Sequence, residues 1–122
     1  MNRILVVDDM ELVRAELRQA LEMSGYTVEE AKNGIEALEI MKSYQPDLII
    51  TDIVMPDMDG VEIIRKLRNT GVSTKIIAIS DGGSRALHSY LSAAEKLGAD
   101  AVCPKPFKIN DLLDTVKREL SE

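Results

Sequence analysis

Three aspartates can account for the chemistry of this chain if the fold brings them together. Asp8 and Asp9 follow a short apolar run near the N-terminus, and Asp52 follows a second apolar run. Carboxylates packed side by side repel one another, so such a cluster is rarely tolerated unless a cation neutralises it. Carboxylate oxygens, with positions left for water and phosphate, suit Mg²⁺. The three aspartates therefore predict a magnesium site.

Ser80 and Lys105 follow two further apolar runs and carry groups that bind phosphate. The serine hydroxyl is a hydrogen-bond donor, and the lysine ammonium is a compact positive charge. Together with a metal ion they would surround the three equatorial oxygens of a phosphoryl group during in-line transfer. Asp52 then has two roles open to it, as a metal ligand and as a nucleophile toward phosphorus.

The apolar runs before these residues indicate the strands of a parallel sheet. The strongest runs are continuously apolar, as expected of strands buried on both faces. Helical periods lie between them, and this alternation predicts five βα units with right-handed crossovers. Ligands of such sheets bind beyond the carboxyl ends of the strands, which is where the five candidate residues fall. The predicted strands are Ile4–Val7, Tyr26–Ala31, Leu48–Thr51, Lys75–Ile79 and Ala101–Cys103.

Five helices are predicted from apolar residues that recur with helical spacing. The first ends at Gly25 as a C-cap residue, and the fourth ends at Gly98. The third carries Arg65 and Arg68 on its polar side, and Asn110 is predicted to cap the fifth. In chain order, the residues that share one face of each helix are Val13, Leu17, Ala20, Leu21 and Ser24; Ile35, Leu38 and Met41; Val61, Ile64 and Leu67; Leu87, Leu91, Ala94 and Leu97; and Ile109, Leu112, Leu113, Val116 and Leu120.

Composition limits the classes of function. The 122 residues, 45% of them hydrophobic, fit one domain over residues 1–122 with no room left for an output domain. The net charge of −6 disfavours binding to nucleic acid or to an anionic membrane. The single cysteine, Cys103, cannot form an internal disulfide, and the apolar run Ile4–Val7 is too short for a signal peptide or a membrane span. A cytoplasmic protein is therefore expected.

The chain resembles the receiver domains of bacterial two-component response regulators, including the chemotaxis regulators, over its whole length. Any one of the matching motifs would be weak alone, but together they occur in order and mostly at strand ends. The resemblance implies a flavodoxin-like fold with strand order 2-1-3-4-5 and helices on both faces of the sheet. The motifs are Asp8-Asp9; Ala31-Lys32-Asn33-Gly34-Ile35-Glu36-Ala37-Leu38; Asp52; Met55-Pro56-Asp57-Met58-Asp59-Gly60; Ser80; and Lys105-Pro106-Phe107.

The resemblance also implies roles for the acidic residues. Asp52 would be the phosphoacceptor, phosphorylated by a sensor histidine kinase or a histidine phosphotransfer protein. Asp9 and Asp52 would ligate Mg²⁺ directly, together with the backbone carbonyl of Val54, and Asp8 would act mostly through water. A module of this kind signals rather than turning over a substrate, so the chain is not expected to be an enzyme.

Two residues would carry the switch in such a domain. Lys105 would contact the phosphoryl group, and Ser80 would move toward the new phosphoryl oxygens. Phosphorylation adds up to about −2 charge, and this biases a two-state element that alters a distal surface. In the family that surface is helix 4, strand 5 and helix 5, where an unknown downstream protein target would bind. The resemblance leaves homodimerisation through the same face open.

Two positions depart from the family pattern. Val102 lies where relatives usually carry an aromatic residue that swings inward, so the usual aromatic readout is absent or altered. Asp81 lies where relatives usually carry a small residue, and its carboxylate should repel an incoming phosphoryl group. Asp81 is therefore expected to slow phosphorylation by small donors or to tune the lifetime of the phosphate. The loop around Gly82-Gly83-Ser84 looks longer than usual, and its glycines make it permissive.

Three other functions remain as alternatives. One is a degenerate receiver that binds partners without phosphorylation; the intact Asp8, Asp9, Asp52, Ser80 and Lys105 argue against it. A second is an aspartyl phosphatase, but such enzymes carry Asp-x-Asp after the first strand, which this chain lacks. A third is a flavin- or nucleotide-binding module, for which a glycine-rich phosphate loop after the first strand is missing.

Overall fold

Five short segments rich in β-branched residues pair side by side in one parallel sheet. The structure, a computed structural model, describes residues 2–53, 60–71, 73–81, 98–105 and 107–120; of residues 60–61, 80–81 and 104–105 it describes the backbone. The strands are β1 (Arg3–Val7), β2 (Thr27–Ala31), β3 (Leu48–Asp52), β4 (Lys75–Asp81) and β5 (Ala101–Lys105). Their order, β2-β1-β3-β4-β5, confirms the expected flavodoxin-like sheet.

The described residues form four helices, which are α1 (Glu11–Met23), α2 (Gly34–Ile40), α3 (Gly60–Asn69) and α4 (Ile109–Leu120). The last of these corresponds to the fifth predicted helix. The fourth predicted helix and the loop around Gly82-Gly83-Ser84 lie outside the described residues. Within the described ranges, none of the helices has the length and apolar character needed to cross a membrane.

Two apolar clusters cover the two faces of the sheet, because alternate side chains of a strand point in opposite directions. On one face Leu5 and Ile49 pack with residues of α2 and α3, and on the other Ile4 and Ile50 pack with residues of α1 and α4. The predicted placement of helices on both faces is thereby confirmed. The helix residues in the first cluster include Ala37, Met41, Ile63, Ile64 and Leu67, and those in the second include Leu17, Leu21, Leu112 and Val116.

The helix ends differ in detail from the sequence prediction. Ser24 is the C-cap of α1, and Gly25 follows it with a φ of 98°, the left-handed conformation that favours glycine. Helix α4 begins at Ile109, so Asn110 lies inside its first turn and the predicted cap was wrong by two residues. In α2, Ile35 is 59% exposed, whereas the smaller Ala37 faces the core.

Arg68, which was predicted to lie on the polar side of α3, is partly buried. Its side chain is only 25% exposed and folds back over the end of the helix. The guanidinium donates from Nε and Nη2 to the carbonyl of Gly98, at 3.1 and 2.9 Å, and from Nη1 to the carbonyl of Thr74, at 2.9 Å. It also pairs with Asp100 at 2.9 Å. Arg68 therefore joins α3 to the segments that lead into β4 and β5.

Candidate functional site

Asp8, Asp9 and Asp52 lie together at the carboxyl edge of the sheet. One carboxylate oxygen from each lies within 4.8 Å of the others. Asp8 is fully buried and Asp52 is 7% exposed, whereas Asp9 faces solvent. The structure thus brings together the three acidic residues that the sequence singled out, with one side of the cluster open to solvent.

The cluster follows from the pairing of β1 with β3. Val7, the last residue of β1, is in register with Thr51, so the next residues along the two strands are Asp8 and Asp52. The N–H of Asp8 donates to the carbonyl of Ala31 at 3.1 Å, which continues the pairing toward β2. Asp8 and Asp52 are therefore placed by the register of buried strands rather than by flexible loops.

Mutual repulsion makes this cluster costly without a cation. Two unit charges 4.8 Å apart repel by about 3 kcal/mol at an effective dielectric constant of about 20. The candidate ligands among the described residues are carboxylates, which suit a hard cation such as Mg²⁺ rather than zinc or copper. The residues present therefore fit the expected metal, and Asp9 is exposed to solvent.

The backbones of Ser80 and Lys105 lie at the same edge of the sheet. Asp52 is in register with Ile79 of β4, and Ser80 is the next residue along that strand. Lys105 ends β5 and is in register with Asp81. The positions of both predicted phosphate-binding residues are therefore at the strand ends nearest the acidic cluster, while their side chains and all of Val54 lie outside the described part of the chain.

Val102 points toward the sheet face that is covered by α2 and α3. It is in register with Ala78 of β4, and it packs half-buried against the cluster that contains Leu5 and Ile49. The position that would carry an inward-swinging aromatic residue is thus occupied by a small aliphatic side chain that contacts the core.

Arg14 is a residue of this site that the sequence analysis missed. Its Nη1 donates to the backbone carbonyl of Asp8 at 2.7 Å, and its Nε pairs with Glu30 of β2 at 3.1 Å. Arg18 pairs with the other oxygen of Glu30 at 2.9 Å. The hydrogen bond from Arg18, followed by that from Arg14, holds the pKa of Glu30 below its usual value against the opposing effect of burial.

A signal for Arg14 was present in the sequence. Arg14 precedes Leu17 by three residues and Leu21 by seven, so it shares their face of α1. A charged residue on an apolar stripe needs a partner when it is buried, and the Arg14 side chain is only 15% exposed. Which partner it has depends on β2 and on the loop after β1, and helical spacing carries no information about either.

A doubly wound parallel sheet with acidic residues after β1 and β3 defines a class of protein. These are α/β domains that bind ligands at the switch point of the strand order, here between β1 and β3. At this edge the three carboxylates form a group that could hold a metal ion, and the backbones of a serine and a lysine lie at the ends of the neighbouring strands.

Comparison with known proteins identifies the family. The family model described as "Response regulator receiver domain" matches residues 4–117. "Response regulator MprA" of Mycobacterium ulcerans (strain Agy99) is 45% identical over 91% of this chain and 47% of its own length. The same regulator from Mycobacterium avium (strain 104) is 43% identical with the same coverage. The chain belongs to the response regulator receiver domain family, and it spans about half the length of these curated relatives.

Solved structures agree with this family. The Vibrio cholerae chemotaxis protein CheY4 has a TM-score of 0.87 and 32% identity, covering 98% of this chain and 99% of that one. The signal receiver domain of a signal transduction histidine kinase from Syntrophus aciditrophicus has a TM-score of 0.90 and 32% identity, covering 99% and 91%. The chain is therefore a signalling module of two-component systems, and the phosphatase and flavin-module alternatives are not favoured.

Proposed function

We propose that this chain is a phosphorylation switch in which Asp52 accepts a phosphoryl group in the presence of Mg²⁺. The observation that carries the proposal is the position of Asp52. It ends the central strand, is almost buried, and lies within 4.8 Å of two other carboxylates at an edge that is open to solvent. The donor would be a histidine kinase or a histidine phosphotransfer protein, as membership of the family suggests.

In the proposed reaction, a carboxylate oxygen of Asp52 forms a bond to phosphorus while the bond from phosphorus to the donor breaks. With a phosphohistidine donor, the leaving imidazole nitrogen takes the electron pair of the broken bond. Asp9, Asp52 and the backbone carbonyl of Val54 would hold the cation, and Asp8 would act through water. When bound, Mg²⁺ supplies positive charge that offsets the carboxylates and the transferring group.

Ser80 and Lys105 would bind the new phosphoryl oxygens through a hydroxyl and an ammonium group. Lys105 belongs to β5 and Ser80 to the neighbouring strand β4. The output face implied by the family would comprise the fourth predicted helix, β5 and α4. Because these contacts exist only after phosphorylation, they would favour one of two conformations of this face. A downstream protein target would bind there, and a second copy of the chain could compete for the same face.

Intact mass spectrometry tests the assignment of Asp52. Incubation with a small phosphodonor and Mg²⁺ is expected to add one phosphoryl group to the wild-type chain and none to Asp52→Asn. Asp114→Asn is a matched control, because Asp114 is an exposed aspartate on α4 and its loss should leave the adduct intact. Chelation of Mg²⁺ should prevent the adduct from forming.

An adduct that persists in Asp52→Asn would contradict the site assignment. A wild-type chain that takes no phosphoryl group from either a small donor or a phosphorylated histidine kinase would instead favour the degenerate receiver, which binds partners without phosphorylation. The two results are distinguished in one experiment, because the first leaves an adduct at another residue and the second leaves none.

Asp81 is proposed to slow phosphorylation by small anionic donors. Its backbone is in register with that of Lys105, at the edge of the sheet that carries the proposed site. Asp81→Ala is expected to raise the rate of phosphorylation roughly fivefold, which corresponds to about 1 kcal/mol of repulsion between unit charges in water. Asp81→Asn keeps the size but removes the charge, and it should behave like Asp81→Ala. If neither phosphorylation nor dephosphorylation changes rate, Asp81 has no such role.

A further inference from the structure

We propose that Arg14 is a positioning residue for the metal site, because it holds the backbone of the loop that carries Asp8 and Asp9. This inference rests on the proposed function, since it concerns how the same site binds Mg²⁺. The contact that carries it is the 2.7 Å hydrogen bond from Nη1 of Arg14 to the backbone carbonyl of Asp8. Arg14 does not touch the cation in this proposal; it acts through the peptide group between the two aspartates.

Three contacts fix the backbone around Asp8. Its N–H donates to the carbonyl of Ala31, its carbonyl accepts from Arg14, and its Oδ1 accepts from the N–H of Met10 at 2.9 Å. The carbonyl of Asp8 and the N–H of Asp9 belong to one planar peptide group. The direction of the Asp8 carbonyl therefore sets the orientation of the peptide plane between Asp8 and Asp9. That plane contains the Cα atom of Asp9, from which the exposed side chain extends.

Arg14 is itself held in place by β2. Nε of Arg14 lies 3.1 Å from Oε1 of Glu30, and Arg18 occupies Oε2 of the same carboxylate at 2.9 Å. Because the Arg14 side chain is only 15% exposed, water competes weakly for its hydrogen bonds. The guanidinium thus links a strand of the sheet to the loop at the metal site, whereas Arg18 also pairs with Glu22 on its own helix, at 3.1 Å.

Residues that orient metal ligands without touching the metal commonly contribute tenfold or more to affinity. Without the guanidinium, the Asp8 carbonyl would lose its hydrogen bond from Nη1 of Arg14, and the peptide group could rotate away from the position that suits the metal. Asp8 would keep its buried place through Ala31 and Met10. Loss of the Arg14 hydrogen bond should therefore weaken the binding of Mg²⁺ but leave the fold as a whole intact.

The chain supplies a matched control in Arg18. Arg14→Gln and Arg18→Gln each remove one positive charge from α1 and one ion pair to Glu30, but only Arg14 contacts Asp8. Titration with Mg²⁺ alone, followed by isothermal calorimetry, is expected to show about tenfold weaker binding for Arg14→Gln and less than about twofold weaker binding for Arg18→Gln. Urea denaturation without metal should show that both variants fold, with the larger loss of stability in Arg14→Gln because Arg14 is 15% exposed and Arg18 is 41% exposed.

Arg14→Lys separates the effect of the charge from the effect of side-chain geometry. It also replaces Arg14→Gln as the test variant if Arg14→Gln does not fold. Lysine keeps the charge but lacks the planar group that reaches Asp8 and Glu30 together, so an affinity between wild type and Arg14→Gln is expected. Equal effects of Arg14→Gln and Arg18→Gln, or wild-type affinity in Arg14→Gln, would overturn the inference while leaving the proposed function intact. A wild-type chain that binds no Mg²⁺ would overturn both.

Discussion

Asp52→Asn is expected to raise the free energy of unfolding by about 2 kcal/mol when no divalent cation is present. Asp52 is 7% exposed and Asp8 is fully buried, so water screens their repulsion poorly. Asparagine is nearly the same size as aspartate and retains a carbonyl oxygen, so the substitution removes charge without leaving a cavity. The variant that abolishes the proposed phosphorylation should thus be more stable than the wild type.

Mg²⁺ is expected to reverse this order. A ligand present at about one hundred times its dissociation constant stabilises the folded state by about 2.7 kcal/mol, and Asp52→Asn should bind the cation more weakly. Urea denaturation of both proteins with and without Mg²⁺ measures the effect, and Asp114→Asn again supplies the control for loss of a single exposed charge. An Asp52→Asn variant that is less stable than wild type without the cation would show that the cluster is not electrostatically strained.

Arg68→Met is expected to lower the free energy of unfolding by about 3 kcal/mol. Methionine keeps much of the length and apolar stem of arginine but donates no hydrogen bond. The carbonyls of Gly98 and Thr74 would lose the guanidinium as a donor, and Asp100 would lose its ion pair. Asp100 would still accept a hydrogen bond from the N–H of Ile76 at 2.8 Å, which limits the loss.

Arg65→Met is the matched control for this prediction. Arg65 lies three residues earlier on α3 and faces solvent, so its replacement should change stability by less than about 0.5 kcal/mol. Urea denaturation of wild type and both variants gives the comparison. Similar losses for the two arginines would mean that the contacts of Arg68 contribute little beyond those of an ordinary surface charge.

The positions of the strands were predictable because parallel strands that are buried on both faces are continuously apolar in sequence. Runs such as Ile4–Val7 and Leu48–Thr51 are apolar at every or nearly every position, and the structure extends each by only one residue. The acidic residues that directly follow these runs were predictable for the same reason, since the ends of neighbouring strands meet. The roles assigned to them remain predictions.

The arginines and the helix faces were less predictable, because their surroundings come from distant parts of the chain. Helical spacing assigned Arg68 to solvent, yet its partners lie at residues 74, 98 and 100. Arg14 escaped notice because its partners, the Asp8 carbonyl and Glu30, lie outside α1, and helical spacing carries no information about them. Ile35 was expected on the apolar stripe of α2, but the buried side of this short helix is formed by smaller residues.

Gly98 has a consequence for how this sequence can change over time. Its φ is +122°, and a Cβ atom added there would lie 3.0 Å from both Cγ and Nε of Arg68. A side chain at position 98 would therefore occupy the volume that the Arg68 side chain fills. A lineage that shortened residue 68 would free that space but would still need a residue that accepts positive φ. We therefore expect glycine to be retained at position 98 even in a lineage that has shortened residue 68, because its backbone conformation strains any other residue whatever space is available.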